Sequence, residues 1–478
     1  MAQFSHITEI ITTVPAILFW IFYALSSGLL LILAITDSTY YIIHKERWLQ
    51  QFNYWYHWLT LFLKLTLANG IVLAAVLAFN WAGFWGKAPF ITSPVSVGSE
   101  IFIMAVASIL LYFLSKKRNS FTPKHYLAVV WTSGIFFNLA LWWPVAVSAW
   151  AECPLGTYVI ASDMTLAISH PSWVIASPLA ALKFFHMVTS CWVIGATFVI
   201  STCCLHILRQ KQGLEQYQTS IFIGLTAAFL GLILTMCIGD STGYTVAKQQ
   251  PMKMAAIQDI EKGGKEMPFT VIGPVKFSNM LSRLSTHSNF GFVPGKEDVI
   301  SGGYALPEGG IAKSFQQKHD LAIQSLQTRK NISNNRQEQQ FRYESQYSGY
   351  AHLDNAAQVR PTSKIHFWAF RIMIGAGFLL MLLIGALIYL FINKNSTWNK
   401  RILMLNAFAC PLAIICTVCG WIIAEFGKFP WAITEFLPVS EAISQYSPTT
   451  LYIELAVIVI LHTISISIIV RNNKITQL

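Results

Sequence analysis

The chain has 478 residues, of which 54% are hydrophobic and only 12% charged, and its mean hydropathy is +0.51. That balance excludes an ordinary soluble globular protein and reads as an all-α polytopic membrane protein. The net charge of +11 does not point to nucleic acid, because the basic residues lie in short loops rather than on one amphipathic face.

No cleavable signal peptide is expected, since the first apolar run, from about Val14 to Ile35, is long enough to span and has no basic stretch before it. A spanning helix needs roughly 20 apolar residues. Nine candidates follow in chain order, near 14–40, 54–80, 94–115, 126–150, 174–208, 219–240, 365–393, 402–425 and 450–470. They predict six spans within 1–240, a polar segment at 241–363 and three spans within 364–478. Lys45 and Arg47 follow the first span, and Lys116, Lys117, Arg118 and Lys124 follow the third. Arg209 and Lys211 follow the fifth, Lys394, Lys400 and Arg401 the seventh, Arg471 and Lys474 the ninth. The alternate loops are nearly bare. The positive-inside rule therefore puts the N-terminus outside and the C-terminus in the cytoplasm. The polar segment, with runs such as "EKGGKEM" and "TRKNISNNRQEQQFR", becomes a long external loop between the sixth and seventh spans. It is expected to be partly folded and most mobile around 315–350. Most cysteines lie in apolar runs, so no disulfide framework is expected, and Cys416-x-x-Cys419 reads as small membrane-helix residues more simply than as a metal pair.

Two runs put costly side chains in the bilayer. "ALKFFHMVTSCWVIGATFVI" places His186 about 12 Å below the outer surface, taking 1.5 Å per residue. "HFWAFRIMIGAGF" places Met373 at the same depth on another span. Histidine and methionine at matched depth, above small residues that permit close approach, suit the two axial ligands of a haem. A histidine hydrogen-bonded within the bundle and a methionine filling its core is the other reading of the same pair.

The order "SPLAALKFFHMVTS", "GDSTGYTVAKQQPMKMAAIQ", "FWAFRIMIGAGF", "GWIIAEFGKFPWAITEFLP" resembles subunit I of cytochrome bd-type quinol oxidases along nearly the whole chain. The resemblance implies a haem- and iron-binding respiratory-chain protein of a bacterial cytoplasmic (inner) membrane, with the same nine spans. It makes His186 and Met373 the ligands of a low-spin haem b, and Glu425 the ligand of a second haem b. Trp421 and Lys428 would surround that second site, and Lys183 and Arg371 would supply counter-charge to haem propionates, Arg371 alternatively to a quinone oxygen. Lys183 could instead snorkel outward. Lys253 matches a lysine implicated in quinol binding. The family's glutamate five residues further on is here Gln258, and an amide is no base at neutral pH, although Asp259 and Glu261 are close.

Larger departures fall in the first four spans. The family's haem d ligand, a histidine in the first span, aligns with Phe19. The family's "MEFQFGTNW" is here "LAAVLAFNW", and of the acidic pair in the third span only Glu100 remains, out of register. Lys64 appears inside the second span, where it is expected, with Phe19 and Trp20, to fill the vacated pocket, or else to face a partner subunit or a crevice. The resemblance thus implies one or two b haems and no haem d in this chain, with oxygen reduction in a partner: an intact subunit I homologue, a subunit II-like chain, or both. The alternative is a mainly structural partner subunit without turnover of its own.

Overall fold

The computed structural model describes residues 2–116, 118, 121–209, 214–393 and 399–472. Seven of its helical stretches are long and apolar enough to cross a membrane, and two further apolar helices, Ile101–Leu114 and Thr449–Ile464, are shorter. We number the elements used below in chain order: α1 (Ala2–Ile43), α2 (Glu46–Asn80), α3 (Pro94–Lys116), α4 (Pro123–Leu139), α5 (Trp142–Glu152), α6 (Pro178–Arg209), α7 (Leu214–Gln249), α8 (Pro251–Gln258), α9 (Phe315–Thr328), α10 (Asn335–Ser345), α11 (Ser363–Ile392), α12 (Lys400–Asn406), α13 (Ala409–Phe426) and α14 (Pro448–Asn472).

Apolar residues all round each helix leave packing, rather than amphipathic periodicity, to decide which face is inside. Glycine makes one such decision. A Cβ on Gly28 of α1 would stand 2.4 Å from the Cys191 carbonyl oxygen and 2.6 Å from Gly195 Cα on α6. Only two glycines allow that crossing, and it draws α1 onto α6. Serine and asparagine add interhelical bonds: Ser27 Oγ donates to Asn138 Oδ1 of α4 at 2.7 Å, and Trp55 Nε1 donates to Ser220 Oγ of α7 at 3.0 Å. Proline sets the breaks. The sixth apolar run continues as helix through "GDSTGYTVAKQ" until Pro251 starts α8 at its first turn.

At one end of the bundle Arg118 pairs with buried Asp37 at 2.5 Å and lies over the rings of Tyr40, Phe52 and Tyr126. The opposite end is roofed by three two-stranded hairpins and by the segment between α7 and α11. The expectation of mobility around 315–350 is corrected here. Ser314 caps α9 in a reciprocal bond with Gln317, Asn334 caps α10, and Phe341 is 1% exposed in a cluster with Trp150, Ile433 and Phe436. Lys318 pairs with Glu435, which ties α9 to the turn after α13. Polar composition concealed these caps and the few buried anchors.

Candidate functional site

The α6, α7, α11 and α13 helices form a group in which α7 and α13 each touch both α6 and α11. His186 on α6 lies against Gly239 of α7, where a Cβ would come 3.2 Å from the imidazole Cε1. Its Nδ1 is buried and has no hydrogen-bond partner among the described residues. Met373 on α11 lies against Gly420 of α13, where a Cβ would come 3.3 Å from the thioether sulfur. The Cys416 thiol of α13 reaches the Met373 carbonyl oxygen at 3.5 Å. Each side chain therefore abuts a glycine on a flanking helix.

Between these helices and α8 sits a cluster of five charges. Glu152, the last residue of α5, has a side chain 1% exposed. It accepts from Lys183 at 2.7 Å and from Gln250 at 2.9 Å, and Lys253 Nζ lies 3.2 Å away. Lys183 also donates to Ser148 Oγ at 2.9 Å, whose hydroxyl donates to Glu425 Oε1 at 2.9 Å. The other Glu425 oxygen accepts from Lys428 at 2.8 Å. Lys183 is thus a counter-charge and does not snorkel. Lys253 is buried, donates to the Ala424 carbonyl oxygen at 3.1 Å, and fits only because residue 427 is glycine. Burial pushes the Lys253 ammonium below the usual lysine range against the pull of Glu152. Burial also opposes the Lys428 ammonium, but adjacent Glu425 outweighs it and raises that group. Three ammoniums against two carboxylates leave the cluster one positive charge in excess. Glu152 was missed in the sequence because it ends an otherwise uncharged run and its partners come from two distant segments.

Arg371 is occupied differently from expectation. Its guanidinium donates to the carbonyl oxygens of Ile257 and Thr270, both at 2.6 Å, and to Gln258 Oε1 at 2.9 Å, and it stacks on Phe367 at 3.7 Å. It anchors the segment carrying Lys253 onto α11. Gln258 is correspondingly an acceptor for Arg371. Asp259 and Glu261 converge on Lys296 at 2.9 and 2.5 Å, and Glu261 also takes Arg360 at 3.0 Å, so neither carboxylate joins the buried cluster. Trp421 meets Phe426 edge-on at 5.9 Å.

In the first two helices Phe19 meets Trp20 edge-on at 5.2 Å and Tyr23 at a tilt at 5.9 Å, and its ring lies 3.2 Å from where a Gly70 Cβ would be. Lys64 does not share that space: it is exposed on α2 and makes no hydrogen bond or ion pair with any described residue, which corrects the pocket-filling expectation. The side chain of Glu100 lies outside the described residues.

Comparison with known proteins places this arrangement. A family model described as cytochrome bd terminal oxidase subunit I matches residues 8–473. The Escherichia coli cytochrome bd-II ubiquinol oxidase subunit 1 is 26% identical, the match covering 94% of this chain and 91% of the relative. The Bacillus subtilis cytochrome bd ubiquinol oxidase subunit 1 is 23% identical over 89% of this chain and 83% of its own length. A solved structure, bd oxidase from Geobacillus thermodenitrificans, shares the fold with a TM-score of 0.77 at 18% identity, covering 98% of this chain and 97% of that one. The chain belongs to the cytochrome bd terminal oxidase subunit I family, haem-bearing membrane subunits of bacterial inner-membrane quinol oxidases.

Proposed function

We propose that this chain is a divergent paralogue that carries b haem, takes electrons from quinol and passes them toward an oxygen-reducing site in a partner subunit I homologue. The observation that carries the reading is the placement of His186 and Met373. Each belongs to a helix bridged by the same two neighbours, and each lies against a glycine, so a flat macrocycle meets little side-chain bulk there. The imidazole of His186 meets the Thr235 backbone and keeps a buried Nδ1 without a hydrogen bond to a described residue, which is consistent with a bound group as its further partner. The donor types suit a low-spin haem, which when bound supplies one-electron redox chemistry. Glu425 is the proposed ligand of a second haem b. One of its oxygens is held by Lys428 and the other only by the Ser148 hydroxyl, a bond that ligation can replace. The excess positive charge of Lys183, Lys253 and Lys428 suits a propionate.

Quinol binding is assigned to Lys253, whose ammonium donates to an oxygen of the ring. Gln258 holds Arg371 and accepts no proton. The absence of haem d rests on Phe19, which has no lone pair to offer and packs edge-on against Trp20 where the family has its histidine. The nine-span topology, with the N-terminus outside, the cluster at the outer face and the C-terminus cytoplasmic, is part of the same reading and agrees with α3 and α14 as the shorter spans. A largely structural role finds support in one observation: Lys253 is already engaged by Glu152 and Ala424.

Anaerobic reduction of the purified complex by quinol separates the two. The redox reading predicts that b-haem absorbance develops on quinol addition, and that Lys253→Met slows it at least about tenfold, some 1.4 kcal/mol, at unchanged haem content. An identical rate in the variant contradicts quinol oxidation at this chain.

A further inference from the structure

Lys64 stands at the middle of the 35-residue α2, about 25 Å from either end at 1.5 Å per residue. A lysine there is too deep to snorkel to a headgroup, and an ammonium facing hydrocarbon is costly. Yet Lys64 is exposed and has no polar partner among the described residues. Most described carboxylates of the surrounding helices are committed elsewhere: Asp37 to Arg118, Glu152 to Lys183 and Lys253, Glu425 to Lys428, and Glu454 to Asn80 at 2.5 Å; Asp240 of α7 is exposed and makes no ion pair with Lys64.

The residues around Lys64 form a face. Asn53, His57 and Thr60 precede it at helical spacing. Asn53 is exposed, while His57 and Thr60 are half-buried, with the His57 Nε2 buried and the Thr60 hydroxyl donating to the His57 carbonyl oxygen at 2.7 Å. Polar side chains thus mark this side of α2 from one end to mid-depth. Beyond it the same side continues with Leu67 at 62% and Ile71 at 64% exposure. Lipid tails suit the apolar half of this stripe and reject the polar half. A water-filled channel would suit the polar half and reject Leu67 and Ile71. A protein helix lying along α2 suits both, provided it brings an anionic group to the level of Lys64.

We propose that this face of α2 docks a membrane-spanning helix of a second polypeptide that carries an aspartate or glutamate at mid-depth, its carboxylate paired with Lys64. Opposite charge in a low-dielectric interface fixes register and partner choice, because any helix lacking the carboxylate leaves the ammonium buried and unpaired. This deepens the partner half of the function proposed above and is independent of its haem half.

The test replaces Leu67, one turn from Lys64, with photoreactive p-benzoylphenylalanine in the complex as assembled in native membranes. After irradiation, peptide mapping is expected to place the adduct in a membrane helix of another polypeptide, with an Asp or Glu within one turn. Lys64→Glu is then expected to lower recovery of that polypeptide at least about tenfold, the size of a 1.4 kcal/mol loss. Lys64→Met should lower it less, and changing the mapped carboxylate to Lys should restore it in the Lys64→Glu background. Adducts only with lipid, with a second copy of this chain, with its own Glu100 region, or with a helix lacking a carboxylate overturn the proposal. So does undiminished recovery in Lys64→Glu. If the second polypeptide copurifies without cross-linking, the complex exists but docks elsewhere, which sinks the Lys64 site alone. Haem per chain in Lys64→Glu is read in parallel and should equal wild type, so misfolding is distinguished from lost docking.

Discussion

The group α6, α7, α11 and α13 and the pair α1 and α2 handle matching positions in opposite ways. In the first, His186 and Met373 border glycines, and five charged side chains are held in a buried network at one end. In the second, Phe19 borders a glycine too, but it packs there in a cluster of aromatic rings. In both regions a side chain sits 3.2–3.3 Å from where the glycine's Cβ would be, an imidazole or thioether in the first and a phenyl ring in the second. The chemistry of the bordering side chain separates a site that can hold a ligand from one that packs.

The largest effect should come from breaking the charge network of the first region. Glu152→Ala leaves Lys183 and Lys253 buried without their shared carboxylate, and should cost about 3–5 kcal/mol, seen as a lower thermal midpoint in detergent. Glu152→Ala combined with Lys183→Met should recover part of the loss. A midpoint equal to wild type in the single variant would show that the network does not stabilise the fold.

A smaller, local effect should make the first region resemble the second. Gly420→Val puts bulk 3.3 Å from the Met373 sulfur and should displace it, at a packing cost on the order of 1–3 kcal/mol. The low-spin signal should fall in reduced-minus-oxidised spectra while the chain still inserts. A full low-spin signal would deny that Met373 is a ligand.

Smaller again is a pH effect. The folded protein raises Lys428 above the usual lysine value of 10.5, chiefly against its own burial and through Glu425. Its contribution is therefore complete below that value and is lost as pH rises through the raised one. Lys428→Met should flatten the alkaline end of a stability–pH curve and leave neutral pH nearly unchanged in slope. An unaltered alkaline limb would contradict the pairing.

The smallest expected change is none. Phe19→His supplies the missing ligand type, but the aromatic neighbours Trp20 and Tyr23 still occupy the room, so no red-region chlorin band should appear. Such a band would show that a single side chain kept the site closed.

Much of this was legible in the sequence. Each apolar run became helix, and the resemblance singled out His186, Met373, Lys253 and Glu425 as candidates, of which Lys253 and Glu425 fall in the buried charge cluster. What escaped has physical reasons. Glu152 looked like a helix-end carboxylate, because nothing local to "AWAECP" announces lysines 31 and 101 residues away. Arg371 was expected to meet a ligand, but carbonyl oxygens of a loop folded back over α11 took its donors instead. The depth of Lys64 could be read by counting residues, whereas its face could not, since a helix apolar on all sides carries no periodic mark of its inner side.

The most direct test of the central claim is the b-haem content per chain, by pyridine haemochrome, of the purified wild-type protein and of His186→Ala. A low-spin site at His186 predicts one b haem fewer per chain in the variant, with loss of the low-spin spectrum and an intact, monodisperse complex. An unchanged haem count in that variant would contradict the account.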